Sequence, residues 1–136
     1  MSALTITAGS VVPGSDARID RSRYAGASIT AGQVVYIGSD GRWALADDDS
    51  ATAAAKIPGG IALNGASAGQ PIDVQTSGSL TIGATMTAGL VYYLGATAGA
   101  IVPVADVTTG QNPAIVGIST STTVLKLAFA ASGVTL

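Results

Sequence analysis

Two stretches of nearly the same sequence, TAGQVVYIGSDGRW (30–43) and TAGLVYYLGATAGA (87–100), decide the fold of this chain. They start 57 residues apart, and Gly60-Ile61 recurs at Gly117-Ile118 with the same offset. A shorter copy of the opening phrase, ITAGSVV, occupies 6–12. Two long copies are too few for a solenoid, which needs at least three repeats to bury its faces. The repeat therefore predicts two similar halves that fold against each other.

Each long copy has the residue order of a glycine turn, a strand and a hairpin. Glycine in the Thr-Ala-Gly phrase supplies a turn position with positive φ. The β-branched and aromatic residues at 34–37 predict a strand that is apolar, and therefore covered, on both faces. Asp40-Gly41 is a strong hairpin signal, and Ala98-Gly99 takes its place in the second copy. Pro103 cannot donate to a sheet ladder, so it predicts an edge strand or a strand end.

The rest of the chain also favours strands, with one exception. Apolar residues alternate with polar ones over 72–76, which predicts a half-buried strand, and the alternation is clearest over 125–129. The exception is 47–56, where three Asp residues precede an alanine-rich run ending in Lys56, and Pro58 follows. Acids at the start and a cation at the end suit a helix dipole. We expect an all-β fold, a compact β-barrel or β-sandwich, with one short helix or helical turn.

The composition excludes several kinds of chemistry. The 136 residues include no Cys and no His, so Ser-His and Cys-His nucleophile systems, disulfides and sulfur-ligated metals are absent. Only 10% of residues are charged, and the net charge of −2 gives no electrostatic footprint for nucleic acid or for an anionic membrane. The N-terminus has no basic segment before an apolar run, so we predict no signal peptide. The uncharged stretch 74–105 breaks into short blocks with glycines, which indicates strands and not a membrane span.

Candidate sites are few, and each has two interpretations. Half of the six basic residues lie within 18–23, next to Tyr24, in either a solvated loop or a docking surface for a partner. Tyr92 and Tyr93 are adjacent on a predicted strand and must point to opposite faces, so one of them leaves the interior. The Asp run at 47–49 is either an acidic helix start or a weak cation site without the spacing of a dedicated loop.

The repeated phrases resemble those of bacteriophage capsid decoration (cement) proteins, the class of the lambda phage head decoration protein. The stretches that carry the resemblance together run from Ala25 to Val134, and they are AGASITAGQVVYIGSDGRW, GGIALNGASAGQPIDVQTSG, TAGLVYYLGATAGAIVPVADVTTG and VGISTSTTVLKLAFAASGV. The resemblance implies a β-clip or β-tulip fold with an extended N-terminal arm. It also implies a homotrimer on the outer surface of the virion, assembled in the host bacterial cytoplasm, that locks neighbouring major capsid proteins together.

On this interpretation the chain divides into an arm with a charged loop (1–24) and a β domain (25–136) built from halves at about 25–80 and 81–136. We expect no cofactor, metal, small-molecule substrate, nucleic acid or membrane partner. The candidate residues for contact with the major capsid protein are Leu4, Ile6, Val11, Val12, Arg18, Arg21, Arg23 and Tyr24. The candidates for contacts within the trimer are Tyr92, Tyr93 and Pro103.

Two other classes of function stay open from the residues. A carbohydrate-binding module of a virion fibre or spike would stack sugars on exposed aromatic rings, so Trp43 or Tyr92 would have to be exposed. A small enzyme would use Asp73 and Asp106, the only carboxylates outside turns and the Asp run, but nothing in the sequence brings this pair together.

Overall fold

The structure, a computed structural model, describes residues 3–48, 52–107, 109, 111–132 and 134. These residues form eleven short strands, β1 to β11 in chain order. The strands are β1 (Val12–Pro13), β2 (Arg18–Asp20), β3 (Val34–Ile37), β4 (Trp43–Leu45), β5 (Gly60–Ala62), β6 (Val74–Ser77), β7 (Ser79–Thr81), β8 (Val91–Leu94), β9 (Ile101–Pro103), β10 (Ala114–Ser119) and β11 (Val124–Ala131).

The strands make two antiparallel sheets that share a core. The six-stranded sheet has the order β1-β7-β11-β10-β8-β9, and the five-stranded sheet has the order β2-β6-β5-β3-β4. Val34 and Ile61 of the five-stranded sheet belong to the same buried cluster as Tyr92 and Leu125 of the six-stranded sheet. The all-β prediction is confirmed, and in the described part of the chain neither sheet closes into a barrel.

The two sheets have the same strand order once β1 is set aside. When each order starts from the strand that comes first in the chain, β2-β6-β5-β3-β4 corresponds strand for strand to β7-β11-β10-β8-β9. The register corresponds as well, because Val34 pairs with Ile61 in one sheet and Val91 pairs with Ile118 in the other. Each member of the second pair follows its counterpart by 57 residues. The sequence repeat is therefore a repeat of topology.

The glycine turns form as predicted in the two long copies and not in the short one. Gly32 and Gly89 have φ of 94° and 82°, and Gly41 and Gly99, in the two hairpins, have φ of 78° and 77°. Such values lie in the left-handed region that side chains with a Cβ avoid. Gly9, in the first copy, has no positive φ and lies in a 3-10 turn, Ala8–Ser10. The short copy of the phrase therefore has a different structure.

The centre of the five-stranded sheet is buried on both faces, as the sequence predicts for the strand at 34–37, although Ile37 at the end of that strand is exposed. Val34 faces the core shared with the six-stranded sheet, while Val35 packs in a second cluster with Trp43 and Val74. The strand predicted at 72–76 forms as β6, with Ile72 and Val74 buried, but the prediction that Gln75 faces solvent is wrong, because Gln75 is fully buried. Its Nε2 donates hydrogen bonds to the carbonyls of Ser77 and Ser79, where the chain passes between sheets. Internal acceptors thus replace water for the Nε2 group of this side chain.

The predicted helical segment is a single 3-10 turn, Ala53–Lys56, with Thr52 as its N-cap residue. Lys56 lies in its last turn as expected, but no acidic residue lies in its first turn. The prediction that the Asp run starts the helix is therefore wrong for Asp47 and Asp48, and Asp49 lies outside the described residues. Searching the described residues for a helix long and apolar enough to cross a membrane finds none.

The prediction of an extended N-terminal arm is wrong for residues 3–13. Leu4 and Ile6 pack against the shared core, Val11 is buried, and β1 pairs with β7 at the edge of the six-stranded sheet. The physical reason is that the uncharged, β-prone segment covers apolar surface of its own domain. The predicted boundary between arm and domain at 24/25 does not separate two packed units, because β2 pairs with β6 inside the five-stranded sheet.

The repeat provides a test of this fold. A Cβ on Gly117 would lie against the carbonyl oxygen of Lys126, and a Cβ on the equivalent Gly60 would lie 2.8 Å from the carbonyl oxygen of Gln75. We expect Gly60→Ala and Gly117→Ala each to lower the free energy of unfolding by about 2 kcal/mol, through backbone overpacking. Gly9→Ala is the control, because its Cβ would meet nothing within 4 Å. Urea unfolding measures the difference, and equal stability of all three variants would contradict the packing.

Candidate interaction surfaces

Residues 3–13 form a strap that crosses the open end of the shared core. At one end, Leu4 N donates to the carbonyl of Ile101 in the edge strand β9 (2.9 Å). In the middle, Thr7 N donates to the carbonyl of Gly83 (2.9 Å). At the other end, Val12 and Pro13 pair with Thr81 and Leu80 of β7. The strap therefore joins the two opposite edges of the six-stranded sheet.

Three apolar side chains of the strap, Leu4, Ile6 and Val11, face the protein, and its other residues are exposed. Ile6 lies so close to Gly32 that a Cβ there would be 2.5 Å from Ile6 Cγ2. Val11 is only 8% exposed, whereas Val12 is 54% exposed. Of the four strap residues proposed for capsid contact, Val12 has the most side-chain surface available, and Leu4 and Ile6 have part of theirs.

Three of the other candidates for capsid contact, the arginines at 18, 21 and 23, lie on one charged surface of the five-stranded sheet. Arg18 and Arg21 are exposed, and Arg23 is half-buried. Arg21 Nε lies 3.5 Å from Asp73 Oδ2, and Arg23 Nε lies 3.6 Å from Asp20 Oδ2. The charged surface is completed by the β3–β4 hairpin, with Asp40 and Arg42. Its members are Arg18, Asp20, Arg21, Arg23, Asp40, Arg42 and Asp73.

Arg23 connects the two parts of the charged surface. Its Nη1 donates a hydrogen bond of 2.9 Å to the carbonyl of Gly41 in the hairpin. Asp20 in turn accepts hydrogen bonds from the hydroxyl and the backbone N–H of Ser22, which lower the pKa of its carboxyl below 3.8, and Arg23 lowers it further. Positive and negative groups therefore alternate here, and the surface is polar without a strong field of either sign.

The aromatic side chains divide between the interior and the surface. Trp43 and Tyr92 are 1% and 2% exposed, and the hydroxyl of Tyr92 accepts a hydrogen bond from Thr87 N. Tyr24 is 54% exposed beside the charged surface. The version of the carbohydrate hypothesis that stacks a sugar on Trp43 or Tyr92 therefore has no exposed ring to use.

The candidates for trimer contacts are also divided. Tyr93 is half-buried on the outer face of the six-stranded sheet, opposite in direction to Tyr92. Pro103 lies in the edge strand β9, as predicted, but it is buried. Among the three candidates, Tyr93 is the one whose side chain is available to a neighbouring molecule.

Most residues on the outer face of the six-stranded sheet were not among the contact residues predicted from the sequence. Strands β8, β10 and β11 contribute to it, and its side chains are half-buried or exposed although most are apolar. Its members are Val91, Tyr93, Ile115, Ile118, Val124, Lys126 and Ala128. Lys126 is the one charged residue in the strands of this sheet, within the described part of the chain. The available signal was the alternation over 125–129, which places Lys126 and Ala128 on the opposite face from Leu125 and Leu127.

Pockets give little support to small-molecule chemistry. One hollow, with a volume of about 510 Å³, lies between the start of the strap and the loop at 84–87, with no charged side chain among its described lining residues. Asp73 is paired with Arg21, while Asp106 lies in the 3-10 turn after β9, on the other sheet. No group of three metal-ligating side chains occurs among the described residues. The features with a definite shape are therefore surfaces: the strap, the charged surface and the outer face.

Comparison of the sequence with protein-family models and with curated proteins found no match to either.

The strap can be tested with two neighbouring positions. Ile6 is half-buried against the core and Thr5 is exposed. We expect Ile6→Ala to lower the free energy of unfolding by about 1 to 2 kcal/mol, below the range for a fully buried isoleucine because only part of the side chain is covered. Thr5→Ala, the control, should change it by less than about 0.5 kcal/mol. Equal effects in urea unfolding would contradict the packing of the strap.

The lowered pKa of Asp20 predicts an acid-sensitive contribution to stability. A carboxyl with a lower pKa in the folded than in the unfolded chain stabilises the fold fully above pH 3.8, and this contribution is lost as the pH falls through the folded-state value. We expect Asp20→Asn to reduce the stability at neutral pH slightly and to flatten its decline below pH 3.8. Urea midpoints between neutral and strongly acidic pH measure this. Parallel profiles for the two proteins would contradict it.

Proposed function

We propose that this protein is a structural capsid decoration protein that binds the outer surface of a bacteriophage head and stabilises contacts between major capsid proteins. It acts without a cofactor and without chemistry of its own. The proposal starts from the resemblance of its glycine-turn phrases to those of cement proteins. The all-β fold is of the kind that the resemblance implies.

The observation that carries the proposal is the unequal distribution of charge over the two sheets. All four arginines of the chain belong to the charged surface of the five-stranded sheet, together with Asp20, Asp40 and Asp73. Of these seven, Arg18 and Asp20 lie in strands and the others in the adjoining loops. In the described part of the six-stranded sheet the charged residues are Lys126 in a strand, Asp16 bound to Ser79 N of β7 and Asp106 in the turn after β9, and the side chains on the outer face are mostly apolar. A molecule with one solvated side and one apolar side is suited to lie on a larger surface.

A decoration protein does not require a large contact in each copy. A standard stable interface buries about 800 Å² on each partner. On a shell, many copies of the protein are attached to the same particle, so each copy can bury less. Contacts between neighbouring copies make the attachment multivalent, so modest individual affinities suffice. Homotrimer formation on the virion surface would supply such contacts.

The proposal predicts two results with the full-length chain. Light scattering after size-exclusion chromatography should give a homotrimer, in solution or after attachment. Empty shells assembled from the major capsid protein of the same virus should bind the chain in co-sedimentation and resist heat or low ionic strength better than bare shells. Bovine serum albumin is the control for non-specific attachment. A chain that neither binds nor protects these shells would refute the proposal.

A further inference from the structure

One row of side chains occurs in both halves of the molecule with the same pairing. In the five-stranded sheet, Val34 of β3 pairs with Ile61 of β5, which pairs with Gln75 of β6. In the six-stranded sheet, Val91 of β8 pairs with Ile118 of β10, which pairs with Lys126 of β11. Directly opposed residues of antiparallel strands point to the same face. Each row therefore marks one face of its sheet, and the two faces are equivalent.

The backbone around the two rows is equivalent too. Gly60 precedes Ile61 and lies against the carbonyl oxygen of Gln75, while Gly117 precedes Ile118 and lies against the carbonyl oxygen of Lys126. Two residues beyond the row, and therefore on the same face, Tyr36 and Tyr93 occupy equivalent positions in β3 and β8. The match between the faces therefore includes a ring as well as the aliphatic row.

The two equivalent faces differ in what covers them. Val34, Ile61 and Gln75 are 0% exposed, because their face packs on the inner face of the six-stranded sheet. In the second half, Ile118 is 43% exposed, Lys126 is exposed, and Val91 is only half-buried. The same sheet face is thus a packing surface in the first half and an open surface in the second.

The size of the open face limits what can cover it. Neighbouring strands lie about 4.8 Å apart and residues about 3.3 Å apart along a strand, so β8, β10 and β11 present roughly 240 Å². This is less than half of the about 800 Å² per partner in a standard interface. The face alone is therefore too small for a stable free dimer, but it is sufficient as one of several contacts on a shell.

Lys126 decides between two occupants of the face. A twofold pairing of the face with itself would enclose two Lys126 ammonium groups in one apolar contact, and like charges in such a site cost several kcal/mol in general. A partner with one carboxylate opposite Lys126 removes this cost and fixes the register of the contact.

We infer that the outer face of the six-stranded sheet, centred on Val91, Ile118 and Lys126, is the surface that docks on the shell. The inference rests on the proposed function. Its partner is a flat apolar patch of the major capsid protein that presents one Asp or Glu side chain to Lys126. In the docked state this patch covers the row Val91–Ile118–Lys126, just as the six-stranded sheet covers the row Val34–Ile61–Gln75.

The test uses variants at matched positions. Ile118 and Ile37 have the same exposure, 43%, but Ile37 lies at the end of β3 in the five-stranded sheet. We expect Ile118→Asp to weaken binding to the assembled shells at least tenfold, and Ile37→Asp to leave it unchanged. Lys126→Glu should weaken binding by a similar factor, whereas Lys56→Glu in the 3-10 turn should not. Lys126→Met should make binding less sensitive to salt, since it removes the charged pair.

Each outcome has a definite meaning. If the wild-type chain binds shells and both outer-face variants bind equally well, the docking face is wrong and the proposed function stands. If the wild-type chain does not bind, the proposed function fails and the assignment of the face fails with it. If Ile118→Asp instead turns an oligomer into a monomer in light scattering, the occupant is a second copy. Melting curves identify misfolded variants. If Ile118→Asp does not fold, the binding of Lys126→Glu, which changes an exposed side chain, tests the docking face instead.

Discussion

The packing of the row Val34–Ile61–Gln75 against the inner face of the six-stranded sheet is the contact on which the rest of the structure depends. It buries the five-stranded sheet on its second face and creates the shared core. Apolar area removed from water stabilises a fold by about 25 cal/mol per Å². A chain with few charges and short strands gains most of its stability in this way. The strap then closes the same core at its open end.

The equivalence of the halves relates this packing to the proposed role. If the second half repeats the first, it also repeats the packing face, but the described residues form no third sheet to cover it. Lys126 in place of Gln75 keeps the uncovered face compatible with water, because a long side chain can hold its charge in solvent. The row face of the five-stranded sheet is therefore covered within the chain, and the equivalent outer face of the six-stranded sheet is left open for a partner.

The strap illustrates how residues 3–13 can be read in two ways. Their uncharged, β-prone sequence is typical both of an arm that binds another protein and of a segment that covers its own domain. Two backbone hydrogen bonds and the short pairing of β1 with β7 bind the segment to its own domain. Gly32 and Gly83 make this possible, since a Cβ at either position would lie 2.5 Å from a strap atom.

The sequence by itself determined the strands of the two glycine hairpins and those near 72–76 and 125–129, together with the internal repeat, because alternation, β-branched residues and positive-φ glycines act over a few neighbouring positions. It did not determine which apolar residues lie inside. Tyr92 and Tyr93 are adjacent and chemically identical, and Ile61 and Ile118 hold equivalent positions, yet one of each pair is buried and the other is partly exposed. Only the stacking of the sheets decided this, because burial depends on which face meets another layer and local sequence carries no information about that layer.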